Sequence, residues 1–417
     1  MSLGKIIKKI RLGKGLSQKQ LAGQEMTREY ISLIENGHAI PSEEILRIIS
    51  KRLDKPIEFF LGENSIEDDN IDIYDAILDK SKEHLFTGNY QKAINMATHV
   101  LKMTHHNTII ADAYLLIISC YNQLTNYELA LEHSQISKEI VIQSKNNQRI
   151  VKYFLECGMA AFNLELFNLA LNSYEKAVNY SGQLKILQND RIRALMFLGT
   201  TYIRLGNIPS ALEYYLKAEK EARVSGDDKL YGEVAMGLGK VYFQSNCELN
   251  KSIQWTEKSV ELLKRNDNKQ YVMALHNLAV IILKAGRKEE ALRILHECAR
   301  FYEVHDLPHK KASVYEEFIK INLYNQKLEN AEKDCKVAID LLEKKDDGLL
   351  RAKLYRLIGV IKNQKEDWDD SYYFLRMSYD LLKRLGSSNE ANLSKGLIKE
   401  SQNKIKIDVN SLLNKKN

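Results

Sequence analysis

The sequence predicts an all-α protein: a small N-terminal domain of five helices, followed by a superhelical array of about eight helix pairs. Three observations lead there. The 417 residues hold only 4 prolines and 20 glycines, which argues for helix throughout. Residues 3–61 place apolar side chains at helical spacing between short turns that carry capping residues. From about Ala76 a small residue followed by an apolar one recurs, shortly after a turn, at a nearly constant interval.

The N-terminal elements follow in order. Leu3, Ile6, Ile7 and Ile10 form an i, i+3, i+4, i+7 stripe that predicts a first helix over about 3–12, ended by Gly13 and Gly15. The stretch Leu16 to Gly37, LSQKQLAGQEMTREYISLIENG, reads as two short helices around a tight turn. Ser17 and Thr27 are their N-caps, because a hydroxyl there accepts a backbone N–H two or three residues on. Leu16, Leu21, Ile31 and Ile34 point inward, which leaves Gln18, Arg28, Glu29 and Ser32 outside. Pro41-Ser42-Glu43-Glu44 opens a fourth helix, with Ser42 as cap and acidic residues where the dipole favours them. Pro56 starts a short fifth helix carrying Ile57, Phe59, Phe60 and Leu61.

A second helix with a polar outer face at its N-terminal end suits reading of the DNA major groove. The strings SQKQLA, MTREYISLIENG and PSEEILRIISKRLD closely resemble the helix-turn-helix of the phage-repressor (Xre/Cro) type. That resemblance implies that Gln18, Thr27, Arg28, Glu29 and Ser32 contact phosphates and bases, and that Asn36 lies in a turn close to the DNA. The turn Gly23-Gln24-Glu25-Met26 is one residue shorter than in most members. The short form is similar to a subgroup of peptide-responsive regulators.

The repeat follows. GNYQKAI, TNYELAL, ELFNLAL, GNIPSAL, CELNKSI, GRKEEAL, KLENAE and DWDDSY place anchors at Ala93, Ala130, Ala170, Ala211, Ser252, Ala291, Ala331 and Ser371, spaced 37 to 41 residues apart. Each anchor sits early in the second helix of a pair. Two turns on, Ala177, Ala218, Ser259, Cys298, Ala338 and Ser378 occupy the same face. Gly158, Gly199, Ala279 and Gly359 lie twelve residues before their anchors and Gly239 thirteen before Ser252, so the fifth turn is one residue longer. Small, small and aromatic residues at matched offsets resemble the tetratricopeptide repeat. The expected organisation is a DNA-binding domain at 1–62, a linker at 63–75, the repeat domain at 76–385, and a capping helix with a tail at 386–417, of which the polar stretch Lys404–Asn417 is expected to fray.

Composition narrows the function. Net charge is +6, with Lys5, Lys8, Lys9, Arg11 and Lys14 ahead of any acidic residue, and an acidic stretch from Glu63 to Asp75. A basic head beside an acidic connector fits a DNA contact confined to one end. No apolar run approaches the ~18 residues that span a bilayer, and no signal peptide is recognised, so a cytoplasmic protein without membrane association is expected. The five cysteines are scattered and form no C-x-x-C pair, so they read as buried thiols rather than as a zinc site or disulfide framework. No phosphate-cradling loop, nucleophile elbow or metal-binding His/Glu motif occurs, so neither enzyme activity nor a cofactor is expected.

First helices of such an array line its concave wall. The polar candidates on that wall are Asn122, Asn163, Arg204, Lys240, Gln244, His276, Asn277, Glu316, Lys320, Arg356 and Asn363. Singly these are ordinary solvated residues. As a group they suit an extended peptide: Asn pairs with a backbone amide whatever the side chain, and Arg or Lys takes a carboxylate.

An Xre/Cro-type head on a tetratricopeptide-like array resembles the peptide-pheromone-sensing transcriptional regulators of Gram-positive bacteria, the PlcR, PrgX, Rgg and NprR group. The resemblance implies quorum sensing: a short signalling peptide lies in the groove and changes the arrangement of a homodimer or tetramer, and so which operator half-sites of double-stranded DNA the heads span. Some relatives act instead on a response regulator, holding it or speeding loss of its phosphate. For that rival Gln91 and Gln123 lie in the right region, without a motif to mark them. A repeat scaffold for a protein partner is the third alternative.

Overall fold

The computed structural model describes residues 3–39, 41–57, 60, 71–182, 184–245, 248–264, 268–344 and 348–414. Among them there is no strand. The chain divides into two compact units, Met1–Tyr180 and Ser181–Asn417.

The first unit opens with α1 (Leu3–Gly13), α2 (Gln18–Ala22), α3 (Arg28–Glu35) and α4 (Glu43–Arg52). Each later helix starts where a side chain replaces a missing backbone partner. Ser17 forms a reciprocal capping box with Gln20, Thr27 accepts from the Tyr30 amide at 3.1 Å, and Ser42 accepts from Ile45 at 3.4 Å. Ile7, Leu21, Ile31, Ile34, Ile49 and Leu53 are almost wholly buried and close a small core. Ile57 and Phe60 are helical and pack on it. The rest of the expected fifth helix and most of the connector lie outside the described residues.

Gly23 shapes the short turn after α2. Its φ is +60°, and a Cβ there would overlap the Arg52 guanidinium. That guanidinium donates to the carbonyls of Leu21 (2.9 Å) and Ala22 (2.7 Å) and pairs with Glu25. The shortened turn is thus held by a side chain from α4.

Helix pairs follow: α5 (Ile71–Phe86) with α6 (Tyr90–Met103), α7 (Asn107–Gln123) with α8 (Tyr127–Gln143), and α9 (Asn147–Asn163) with α10 (Phe167–Ser181). Helix α5 starts inside the stretch read above as linker.

The second unit opens on a 3-10 turn (Lys185–Leu187). Five pairs follow: α11 (Gln188–Arg204) with α12 (Ile208–Ser225), α13 (Asp228–Ser245) with α14 (Leu249–Leu263), α15 (Asn268–Lys284) with α16 (Lys288–Val304), α17 (Pro308–Tyr324) with α18 (Leu328–Lys344), and α19 (Gly348–Gln364) with α20 (Trp368–Arg384). The caps are α21 (Ser388–Gln402) and α22 (Val409–Asn414).

The period in the sequence has a packing cause. All eight anchors, from Ala93 to Ser371, are 0 % exposed, as are the six small residues two turns on. Small side chains let the two helices of a pair approach closely. At Gly199 the approach is so close that a Cβ would overlap the Tyr215 ring. Five residues before seven of the anchors the backbone is left-handed. Glycine fills the position at 88, 206 and 286, whereas Thr125, Glu165, Gln326 and Glu366 adopt it without being glycine. In the fifth pair the Ser252 hydroxyl donates to the Gly239 carbonyl at 2.8 Å and Thr256 stands opposite that glycine; residues 246 and 247 of the turn expected to be longer lie outside the described residues.

The described part of the tail, residues 404–414, is docked rather than frayed. Asn363 donates to the Ile405 carbonyl at 3.0 Å and accepts from the Ile407 amide at 2.8 Å. Gln364 donates to the Ile407 carbonyl at 2.8 Å. Ile407 is 3 % exposed, and Val409 and Leu412 pack on the same core. Its few apolar residues, spaced along a polar segment, are enough to dock it.

Candidate functional site: the outer face of α3 and the first-helix row

The buried side of α3 is Ile31, Ile34 and Glu35. Helical spacing therefore turns Glu29, Leu33 and Asn36 (i, i+4, i+7) to the opposite side. Thr27, Arg28, Glu29 and Asn36 are exposed and Ser32 is half-buried. The Asn36 amide reaches the Ser32 hydroxyl at 3.4 Å, so the two polar groups at the end of the stripe share a contact.

Gln18 is not simply outward. It is half-buried and donates to Glu35 at 2.8 Å, which leaves its second N–H and its carbonyl oxygen for a ligand. Glu35 is also gripped by Arg11, whose guanidinium donates to both carboxylate oxygens (2.6 and 3.0 Å) and to the Leu16 carbonyl (2.6 Å). Burial pushes the Glu35 carboxyl up, but the bonds from Arg11 and Gln18 outweigh it and hold it below its ordinary value. Arg11 thus belongs to the core rather than to the basic surface, and Lys14 is engaged with Asp54 at 2.6 Å. Lys5, Lys8 and Lys9 are exposed. Sequence reasoning passed over Leu33, 46 % exposed in the middle of the polar stripe. Its signal was the spacing from Glu29.

Within each unit, first helices of neighbouring pairs approach one another (α5 with α7 and α7 with α9; α11 with α13, α13 with α15 and α17 with α19) more closely than second helices do. The closer-set row is the inner one, as expected for repeats of this kind.

In the first unit Asn163 is exposed and donates to the Met159 carbonyl of its own helix at 2.8 Å. Asn122 turns inward instead. It is 4 % exposed and donates to the Glu156 carbonyl (3.0 Å) and carboxylate (2.7 Å), while Ser119 donates to the same carboxylate at 2.6 Å. Asn122 therefore ties α7 to α9.

In the second unit Arg204, Lys240 and Gln244 are exposed, while His276, Asn277, Glu316 and Lys320 are half-buried. Arg356 and Asn363 are buried, against the expectation of a wall position: Arg356 pairs with Glu390 at 2.5 Å, and Asn363 clamps the tail. Lys320 bridges Glu316 (2.7 Å) and Glu317 (2.8 Å). Burial tends to raise the Glu316 carboxyl, but Lys320, Lys353 and Arg356 hold it below its usual range. Although Lys240 is exposed as a residue, desolvation around its amine lowers it, and the charge of Lys310 adds to the effect. His276 falls to about 4. Burial dominates, Glu316 opposes it, and Lys310, Lys320 and Lys240 reinforce it. The imidazole is therefore neutral at physiological pH. Lys310 and Lys353 join this cluster, although sequence reasoning did not name them.

These two surfaces sit in recognisable modules. Residues 7–60 match the helix-turn-helix family model, and residues 272–305, spanning α15 and α16, match a tetratricopeptide repeat model. The chain is thus a helix-turn-helix domain followed by tetratricopeptide-like helix pairs, and it resembles the peptide-sensing regulators of Gram-positive bacteria that share this order of parts. Among particular proteins, it is similar to the transcriptional activator NprA of Geobacillus stearothermophilus, 23% identical over 422 residues, covering 85% of this chain and 97% of that one. Its fold is similar to the apo form of the quorum sensor NprR from B. thuringiensis (TM-score 0.61, 14% identity, 91% of this chain and 99% of that one). It also resembles a Rap protein complexed with competence and sporulation factor (TM-score 0.54, 12% identity, 80% and 98%). A shorter match, 22% identical over 143 residues, links 34% of this chain to 38% of response regulator aspartate phosphatase E of Bacillus subtilis (strain 168).

The four described cysteines, Cys120, Cys157, Cys298 and Cys335, are free and buried. Burial pushes the Cys120 and Cys157 thiols up to about 11. Cys247 lies outside the described residues. No helix among the described residues is long and apolar enough to cross a membrane.

Proposed function

We propose that this protein is a cytoplasmic transcription regulator that binds operator DNA through Gln18 and the outer face of α3, and that a short peptide on the first-helix row switches it. The observation that carries the reading is the union of two modules. A helix-turn-helix domain presents exposed Arg28, Glu29 and Asn36 with half-buried Ser32, and tetratricopeptide-like pairs follow with polar, partly enclosed side chains on their inner row. The peptide contacts proposed in the second unit are Arg204, Lys240, Gln244, His276, Asn277, Glu316 and Lys320. In the first unit Asn163 is the accessible candidate.

Two heads are needed to read two half-sites, so the working form is a homodimer, or a tetramer, assembled through the repeats. Linkage sets the rule for switching: a peptide acts only as far as it binds one arrangement more tightly than the other. NprA's description as a transcriptional activator, and NprR's as a quorum sensor, support both halves of the reading.

The test is selection from random DNA duplexes with the full chain, followed by anisotropy titration at one fixed salt concentration. Replacing Gln18 and Arg28 with Ala should weaken the selected site by about tenfold or more, because each removes contacts of ~1–3 kcal/mol. No selected site, or unchanged affinity, refutes the DNA half. A second reading rests on the match to an aspartate phosphatase: the array also holds a response regulator. Accelerated loss of aspartyl phosphate from a phosphorylated response regulator, sensitive to the exposed Gln91 or Gln123, would favour it.

A further inference from the structure

The chain after α21 does not extend the array. A helix that did so would lie along α21. Helix α22 instead packs chiefly on α17, the first helix of the pair two places back. The segment that joins α21 to α22 therefore crosses the end of α19 and brings α22 onto the first-helix row of this unit.

The contacts on that segment are of the kind that hold an extended peptide. Asn363 is 0 % exposed; it donates to the Ile405 carbonyl (3.0 Å) and accepts from the Ile407 amide (2.8 Å). Gln364 donates to the Ile407 carbonyl (2.8 Å). All three bonds go to backbone, so they set the path of the segment without selecting its side chains. Selection falls to the apolar side chains that the segment buries. Ile407 is buried, and Val409 and Leu412 pack on the core formed by α17 to α21, whereas Lys404, Ile405 and Lys406 are exposed. Lys406 pairs with Glu366 at 2.8 Å, but both are exposed and such pairs are worth little. A segment held by a few bonds and three apolar side chains opens more readily than the domain beneath it unfolds.

We propose that residues 404–412 occupy, in cis, a peptide site at this end of the first-helix row, and that an external peptide with two aliphatic residues spaced as Ile407 and Val409 displaces them. The inference rests on the peptide reading above and deepens it: it gives the ligand a chemistry and the groove a built-in competitor. If the segment is docked in roughly nine molecules of ten, the ligand binds about tenfold more weakly than it would to an open site.

The test uses the full chain and two fluorescent probes: the peptide Lys404–Leu412 with both ends blocked, and a pool of random heptapeptides. Ile407→Ser loosens the docked segment and leaves Asn363 and Gln364 in place. This variant should bind both probes about tenfold tighter than the wild type does. The gain should vanish when Asn363→Ala is added. A measurement on the wild type alone covers the case of a variant that unfolds the last pairs: excess unlabelled Lys404–Leu412 peptide should lower the hydrogen-exchange protection of the chain's own Ile407 amide. Equal affinity of wild type and Ile407→Ser for the probes, or an Ile407 amide whose protection stays the same, makes the segment a fixed cap and overturns the proposal; pool binding to the wild type then leaves the peptide reading standing. Binding of the pool by neither chain overturns the peptide reading as well.

Discussion

Removing the Glu35 carboxylate should separate the stability of the head from its DNA recognition. The side chains of Arg11 and Glu35 are 7% and 0% exposed, and their two bonds are the only described charge pair inside the small core. Glu35→Ala leaves the guanidinium buried with the Leu16 carbonyl as its remaining partner. An uncompensated buried charge costs about 3–5 kcal/mol, a large part of the ~5–15 kcal/mol that holds a typical domain together. Calorimetry of the full chain should show the head melting well before the array. Replacing both partners by apolar residues, Arg11→Met/Glu35→Leu, removes the charge along with its counter-charge and should restore most of that stability. It also removes the group that orients Gln18. The double variant should therefore melt close to wild type yet bind operator several-fold more weakly at fixed salt. A double variant that binds as wild type refutes the positioning role of Glu35. A single variant that melts as wild type refutes the energetic argument.

Other expectations follow from the array. Gly199→Ala drives a methyl into the Tyr215 ring and should cost about 1–3 kcal/mol. Gly396→Ala, in open space within α21, should stabilise by ~0.5–1 kcal/mol; denaturant midpoints of the two variants compare them. His276 has a folded pKa of about 4 against an ordinary value of 6.5, so the unfolded chain binds the proton more readily. Its contribution is present above pH 6.5 and is lost as pH falls towards 4; His276→Gln should flatten the urea midpoint across that window. Asn363→Ala removes both bonds to the 405–407 segment, and hydrogen exchange should show the Ile407 amide losing protection while the core of α19 keeps it.

The repeat was readable because one steric requirement recurs. At all eight anchors the residue is Ala or Ser and fully buried, so Ala211 and Ala218 announce both a helix and its face. The head was readable from its caps, since Ser17, Thr27 and Ser42 each mark a start that the hydrogen bonds bear out. Side-chain partners were less legible. Arg11 counts as surface charge until Glu35, distant in sequence, is placed against it. Asn122, Arg356 and Asn363 fall on first helices, as counting predicted. A helical period does not distinguish the side turned to the open row from the side turned to the next helix, and Glu156, Glu390 and the tail decide that. Lys310 lies at the start of its helix, away from the repeated offsets, and only the folded arrangement lets its charge act on His276 and Lys240.

The most direct measurement of peptide control is native mass spectrometry of the protein purified from its own cells, with operator DNA added before and after ligand release. A peptide-switched regulator carries a bound mass of a few hundred to about a thousand daltons, the range of a short peptide, and its oligomeric state or DNA affinity changes when that ligand is stripped. A protein that carries no such ligand, and whose oligomeric state and DNA affinity stay the same across peptide pools, contradicts the switch.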